Sequence, residues 1–160
     1  MRRAVVTAAM SVFAIIPGVT ALVAPAAAAA PEPFTVTFRT SPRFGTCDGF
    51  NVLVQATGKA RTIEAPDGGI VGVSAATVAT ATNLKTGTSV QFSINGTFNT
   101  TTDADGNVTT TATGKNFLTD PDAGVVVTSG TFTFTFDKKG KLVEGLSGTG
   151  QITDVCAALA

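Results

Sequence analysis

Apolar and polar positions alternate along most of this chain with a period of two. The cleanest case runs from Gly124 to Asp137, where Phe132, Phe134 and Phe136 alternate with Thr131, Thr133 and Thr135. A strand points successive side chains to opposite faces, so the three Phe share one face and the three Thr the other. Counting back places Val126, Thr128 and Gly130 on the Phe face. Three neighbouring exposed Phe would form an aggregation-prone patch, so that face is expected in a core and the Thr face in water. A helix would scatter the same Phe around its circumference.

The same period recurs elsewhere. Phe34, Val36 and Phe38 alternate with Thr35, Thr37 and Arg39, and Phe50, Val52 and Val54 with Asn51, Leu53 and Gln55. Gly58-Lys59 reads as a turn before a short strand from Arg61 to Ala65, and Pro66-Asp67-Gly68-Gly69 as a second turn. Strands follow at Ile70 to Leu84, at Ser89 to Phe98 with a bulge at Gly96, at Val108 to Leu118, at the Phe strand, and at Lys141 to Val155. Lys85-Thr86-Gly87, Asp103 to Asn107, Thr119 to Ala123 and Asp137 to Gly140 connect them. The pattern predicts an all-β chain whose eight antiparallel strands, joined by short turns, close into an up-and-down barrel. A two-sheet sandwich is the alternative.

The start of the chain has a different character. Arg2 and Arg3 precede an uncharged run from Ala4, and Pro25 and the alanines at 26–30 follow it. A basic start, an apolar stretch and small residues at a cleavage point read as a secretory signal peptide over residues 1–29, leaving one secreted domain over 30–160. Pro17-Gly18 and the interspersed Thr and Ser argue against a membrane anchor. Without the two leader arginines the domain carries 9 basic and 11 acidic residues. That balance offers no basic field for nucleic acid and no polybasic membrane patch. Cys47 and Cys156 are the two cysteines of the chain, and an even pair in an exported domain reads as a disulfide between its start and its end.

Candidate chemistry is sparse. The chain has no His, so no Ser–His or Cys–His nucleophile system exists, and two cysteines alone do not complete a zinc site. Asp103-x-Asp105-Gly106-Asn107 resembles the start of a calcium loop, but the first and twelfth ligand positions fall on Thr101 and Ala112, so a hairpin turn is expected. Asp120, Asp122 and Asp137 sit in turn-like contexts, and a carboxylate-based enzyme using them, Glu64 or Glu144 is the least favoured reading. Trp and Tyr, which dominate sugar-stacking surfaces and interface hot spots, are both absent. The Phe residues are therefore expected in a core or lining an apolar cavity, with Phe92, Phe132, Phe134, Phe136 and Val126 as the candidate lining.

Several motifs carry a resemblance: C-D-G-F from Cys47, T-N-L-K-T-G-T-S from Thr82, T-A-T-G-K from Thr111 and T-D-V-C from Thr153, behind the Ala-rich leader. With these the chain resembles short secreted β proteins of actinobacteria that have no assigned function. In general shape it is similar to the small barrels of allene oxide cyclases and dirigent proteins, and no catalytic residue carries over. The resemblance implies compartment and fold, not chemistry. The expectation is an extracellular or cell-wall-associated, non-catalytic barrel without metal or cofactor. It would be a monomer or weak oligomer binding a small apolar molecule, or alternatively a structural or interaction module of the cell envelope.

Overall fold

The computed structural model describes residues 30–40, 45–65 and 69–160; the expected leader, residues 1–29, lies outside them. Seven strands and one short helix follow in order: β1 (Glu32–Arg39), β2 (Val52–Glu64), β3 (Ile70–Asn83), β4 (Ser89–Thr102), β5 (Val108–Asp120), β6 (Gly124–Phe136), β7 (Leu142–Asp154) and α1 (Val155–Leu159). All strands belong to one antiparallel sheet in which each pairs with its sequence neighbours. The up-and-down meander is as expected. The sheet ends in two edges, β1 and β7, which do not pair with one another.

Seven strands replace the expected eight because Gly58 is not a turn. β2 runs straight through it, and the register against β3 shifts between Thr57 and Lys59. A Cβ on Gly58 would meet the side chain of Thr77 and lie 2.7 Å from its Cα. The glycine admits a bulge from the neighbouring strand, and the segments at 50–55 and 61–65 fuse into one element. On β3 the same irregularity leaves Ala76 at φ 49°, the one non-glycine residue with positive φ among those described.

The turns follow their side chains. Asp103 Oδ1 accepts from the N–H groups of Asp105 and Asn107 at 2.9 and 2.8 Å, and its Oδ2 from Asn107 Nδ2 at 2.8 Å. Asp137 Oδ1 accepts from the N–H groups of Lys139 and Lys141 at 2.8 and 2.9 Å. Asp120 Oδ1 accepts from those of Asp122 and Ala123, both at 2.8 Å. Each aspartate folds the main chain onto itself in place of a longer loop.

Two apolar clusters form the core. The first gathers Cys47, Val52, Val54, Ala79, Ala81, Ile94, Val125, Val127, Val155 and Leu159, with Phe50, Phe92 and Phe117 packed against it. The second gathers Ala112, Leu118 and Val126, with Phe98, Phe134 and Leu146. Ala112 and Leu118 lie six residues apart on β5; a straight strand would hold them about 20 Å apart. They share one cluster, so β5 bends, and Gly114 (φ 87°) lies between them. Gly96, Gly114, Gly130 and Gly150 stand opposite one another on four successive strands. At Gly130 (φ 145°) a Cβ would collide with the Thr149 carbonyl and lie 2.8 Å from Gly150 Cα. At Gly114, Gly130 and Gly150 neighbouring main chains come too close for side chains, whereas at Gly96 the side-chain amide of Asn116 takes the space, and the sheet coils along this row.

The bend changes the expected division into a wet and a dry face. Val125, Val126, Val127 and Thr128 are all buried, so the start of β6 is covered on both sides. Phe132 is buried and Phe134 and Phe136 half-buried, in line with the Phe face. Of the Thr face, Thr131 is exposed, Thr133 half-buried and Thr135 buried. Thr135 is accommodated by polar partners: its hydroxyl donates to Glu144 Oε2 at 2.8 Å and lies 3.0 Å from that of Thr109.

Candidate functional site

The disulfide joins Cys47 to Cys156 as expected, across a sequence separation of 109 and with Cα atoms 5.3 Å apart. It fixes α1, a five-residue helix too short to persist alone. Asp154 caps that helix, accepting from the N–H groups of Cys156 and Ala157 at 2.8 and 3.1 Å. Val155 and Leu159 are fully buried beneath it. Asn83 completes the attachment: its Nδ2 donates to the Leu159 carbonyl at 3.0 Å, while its Oδ1 accepts from Lys85 N–H at 2.8 Å. One amide thus ties the β3–β4 turn to the end of the chain. Neither the helix nor this role of Asn83 has a signal in the sequence: five residues carry no period, and Asn83 sits beside an ordinary turn.

Three depressions deserve comparison as binding sites. A cleft of about 570 Å³ surrounds the disulfide, with Asp48, Asp122, Asp154, Thr46, Pro121 and Ala157 among its lining. Asp154 is already engaged as the helix cap. No group of three or more metal-ligating side chains forms among the described residues. A second cleft, about 490 Å³, lies between Pro121, Asp122, Phe136 and the Lys139–Leu142 turn. Both are open troughs between hairpin ends, walled partly by charged residues.

The third is different in chemistry. Phe34, Val36 and Phe38 of β1, Val54 and Ala56 of β2, Ser74, Thr77 and Ala79 of β3, Ile94 and Phe98 of β4 and Phe117 of β5 line a groove of about 160 Å³. Phe34, Val36 and Phe38 reach it together because alternate residues share a face, and they pair with Gly58, Ala56 and Val54 of β2. Phe117 forms part of the wall, its ring edge-on to Phe92 at a centroid distance of 6.1 Å. Val36 and Phe38 remain 44% and 39% exposed, so the groove is open along the β1 edge.

The five residues expected to line a cavity do not line this groove. Phe92 packs behind it in the first cluster, and Val126 and Phe134 belong to the second. Phe134 and Phe136 meet edge-on at 5.9 Å, and Phe136 reaches the cleft near Lys139. Phe132 is buried. The β1 triplet that does line the groove had the right alternation, but alternation reports a face and not what the face meets.

Asp103 and Asp137 are engaged in their turns. The side-chain amide and N–H of Asn107 hold the Asp103 carboxyl below its ordinary range, and the Lys141 N–H, followed by that of Lys139 and the nearby ammonium charges, does the same for Asp137. Both stay ionised at neutral pH as turn formers. No protein-family model matches the chain, and no curated protein or solved structure does so either.

Proposed function

We propose that this is a secreted, non-catalytic binding module that takes a small apolar group into the groove beside β1. The observation that carries the reading is the lining: nine of its eleven residues are apolar, and the two others, Ser74 and Thr77, are neutral. A volume of about 160 Å³ is smaller than drug-sized pockets of at least ~300 Å³, and close to the ~150 Å³ apolar cavity that accepts benzene. The fitting class is therefore a single ring or a short alkyl branch, the remainder of a larger molecule lying in the open mouth. Export is supported by the leader pattern, by the disulfide, which suits an oxidising compartment, and by the resemblance to secreted actinobacterial proteins. The non-catalytic reading is supported by Asp103, Asp120, Asp137 and Asp154, each of which accepts main-chain N–H groups at a turn or cap.

The test is an NMR titration of the mature protein with toluene and with n-hexanol. Saturable shifts at Val54, Ala56, Ala79, Ile94 and Phe98, abolished by Ile94→Phe, which fills the groove, are expected. Shifts spread over the surface, or shifts that persist in Ile94→Phe, would remove the groove as the site.

A further inference from the structure

We infer that the partner of the β1 edge is a second copy of this chain, paired antiparallel across a two-fold axis at Val36. The two edges of the sheet differ in how they are protected. β7 contains Gly145, Gly148 and Gly150, and its pairing with β6 shifts register twice. Bulges and irregular pairing of this kind discourage another strand from adding on. β1 has no register shift against β2, and no charge between Glu32 and Arg39. From Phe34 to Phe38 it carries neither charge nor proline, and it is exposed along nearly all its length.

The sequence of that strand reads the same in both directions: Phe34-Thr35-Val36-Thr37-Phe38. Antiparallel pairing about Val36 sets Phe34 against the partner's Phe38, Thr35 against the partner's Thr37, and Val36 against itself. Aromatic and β-branched cross-strand pairs are the favourable ones, and no like charges meet, because Arg39 falls opposite the partner's Pro33. The main-chain phase agrees. Thr40 N–H donates to the Val52 carbonyl at 2.9 Å, and Phe34, Val36 and Phe38 continue the same alternation against β2. The N–H and C=O groups of Thr35 and Thr37 therefore point away from the sheet, free to exchange bonds with the partner's Thr37 and Thr35. Pro33, which has no N–H to offer, falls in the same outward phase, where its lack costs the β1–β2 ladder nothing. A two-fold pairing of this kind is closed, so it ends at a dimer, and it joins the two grooves into one apolar strip across the axis.

The register makes a covalent prediction. Val36 and its copy form a non-hydrogen-bonded pair, whose Cα atoms lie about 4.5 Å apart, within disulfide reach. Val36→Cys is expected to give a cross-linked dimer on mild oxidation, and Thr35→Cys, which faces Thr37 rather than itself, at least tenfold less. The native cysteines are already bridged to each other. Sedimentation of the unmodified mature chain should show a concentration-dependent shift to twice the monomer mass, lost in Thr37→Pro, which removes an outward N–H, and kept in Thr37→Ser. A monomer at every concentration, equal cross-linking at the two positions, or a ladder of polymers, the mark of β1 adding to β7 of the next copy, would overturn the inference. The proposal stands apart from the ligand: a monomer that binds toluene would sink the dimer alone, and a dimer that binds nothing would sink the ligand reading alone.

Discussion

Removing the Cys47–Cys156 bridge is the most informative test of what stabilises this domain. The bond closes a loop of 109 residues, most of the domain. In the chain-entropy account a loop of that length restricts the unfolded chain by about 4.8 kcal/mol at room temperature. A domain of about 130 residues has an unfolding entropy of roughly 270 cal/mol/K near its midpoint, so the loss corresponds to a fall in Tm of about 15–18 °C. The folded side adds to this. Without the bond, α1 is held by the burial of Val155 and Leu159 and by the Asn83–Leu159 hydrogen bond. The assay is calorimetry on the oxidised protein, the same protein reduced with a phosphine, and Cys47→Ala/Cys156→Ala. Reduction keeps both sulfur atoms in place, so it isolates the closed loop; the alanine pair adds lost packing at Cys47, which is 5% exposed. Reduction should lower Tm by at least 10 °C while the amide spectrum of the sheet stays native. A fall below about 5 °C would refute the loop argument, and collapse of the sheet spectrum at room temperature would show that the seven strands depend on the bridge for folding at all.

Three further perturbations follow from the backbone and the turns. Ala76→Gly should stabilise the protein by about 0.5–1 kcal/mol, because a left-handed φ costs an L-residue about 1–2 kcal/mol and glycine gives back part of that in unfolded-chain entropy; a lowered denaturation midpoint would contradict it. Gly130→Ala should cost at least about 3 kcal/mol, since the new Cβ runs into the Thr149 carbonyl from a φ that L-residues rarely adopt, and a urea midpoint equal to wild type would show that the strands can separate there. Asp103 and Asp137 have lowered folded-state pKa values, so the stability they contribute is present above the unfolded value near 4 and is lost as pH falls through the folded one. The thermal midpoint should therefore drop on acidification below about pH 4, and drop less steeply in Asp103→Ala/Asp137→Ala; parallel curves would remove these two groups as the cause.

Local chemistry was legible and non-local assembly was not. The alternation at Phe34–Arg39 and Thr131–Phe136, the aspartate turns and the cysteine pairing all depend on neighbouring residues or on a two-member set, and each has its structural counterpart. Gly58-Lys59 misled because a glycine that opens a turn and a glycine that admits a bulge look alike in one dimension; the difference is Thr77, on another strand. The run Val125-Val126-Val127 contradicted the one-sided reading of β6 even before folding, since three consecutive apolar residues cannot all face one side. The buried amides of Asn83 and Asn116 carried no sequence signal, because Asn beside a turn or within a polar run is ordinarily solvated.

The groove was illegible for a reason that also explains its position. A flat meander of strands 13–14 residues long would present one broad surface and no concavity. The row Gly96, Gly114, Gly130 and Gly150 breaks that surface across four strands at once. On one side of the row Phe92, Ile94, Phe117, Val125 and Val127 join the first cluster; Phe98, Ala112, Phe134 and Leu146, on the other, pack with Leu118 and Val126 in the second. Ile94 and Phe98 thus flank Gly96 on β4, and both line the groove. Asn116 fills the space that Gly96 leaves empty, since a Cβ there would collide with its side-chain amide. The groove straddles the paired Gly96 and Gly114 of β4 and β5, between Ile94 and Phe98 on one strand and beside Phe117 on the other, a relation defined by strand pairing and by nothing adjacent in the chain. It also leaves β1 as the outer wall, with apolar side chains facing inward to the groove and main-chain groups facing outward, so that the two proposed sites are two sides of the same strand.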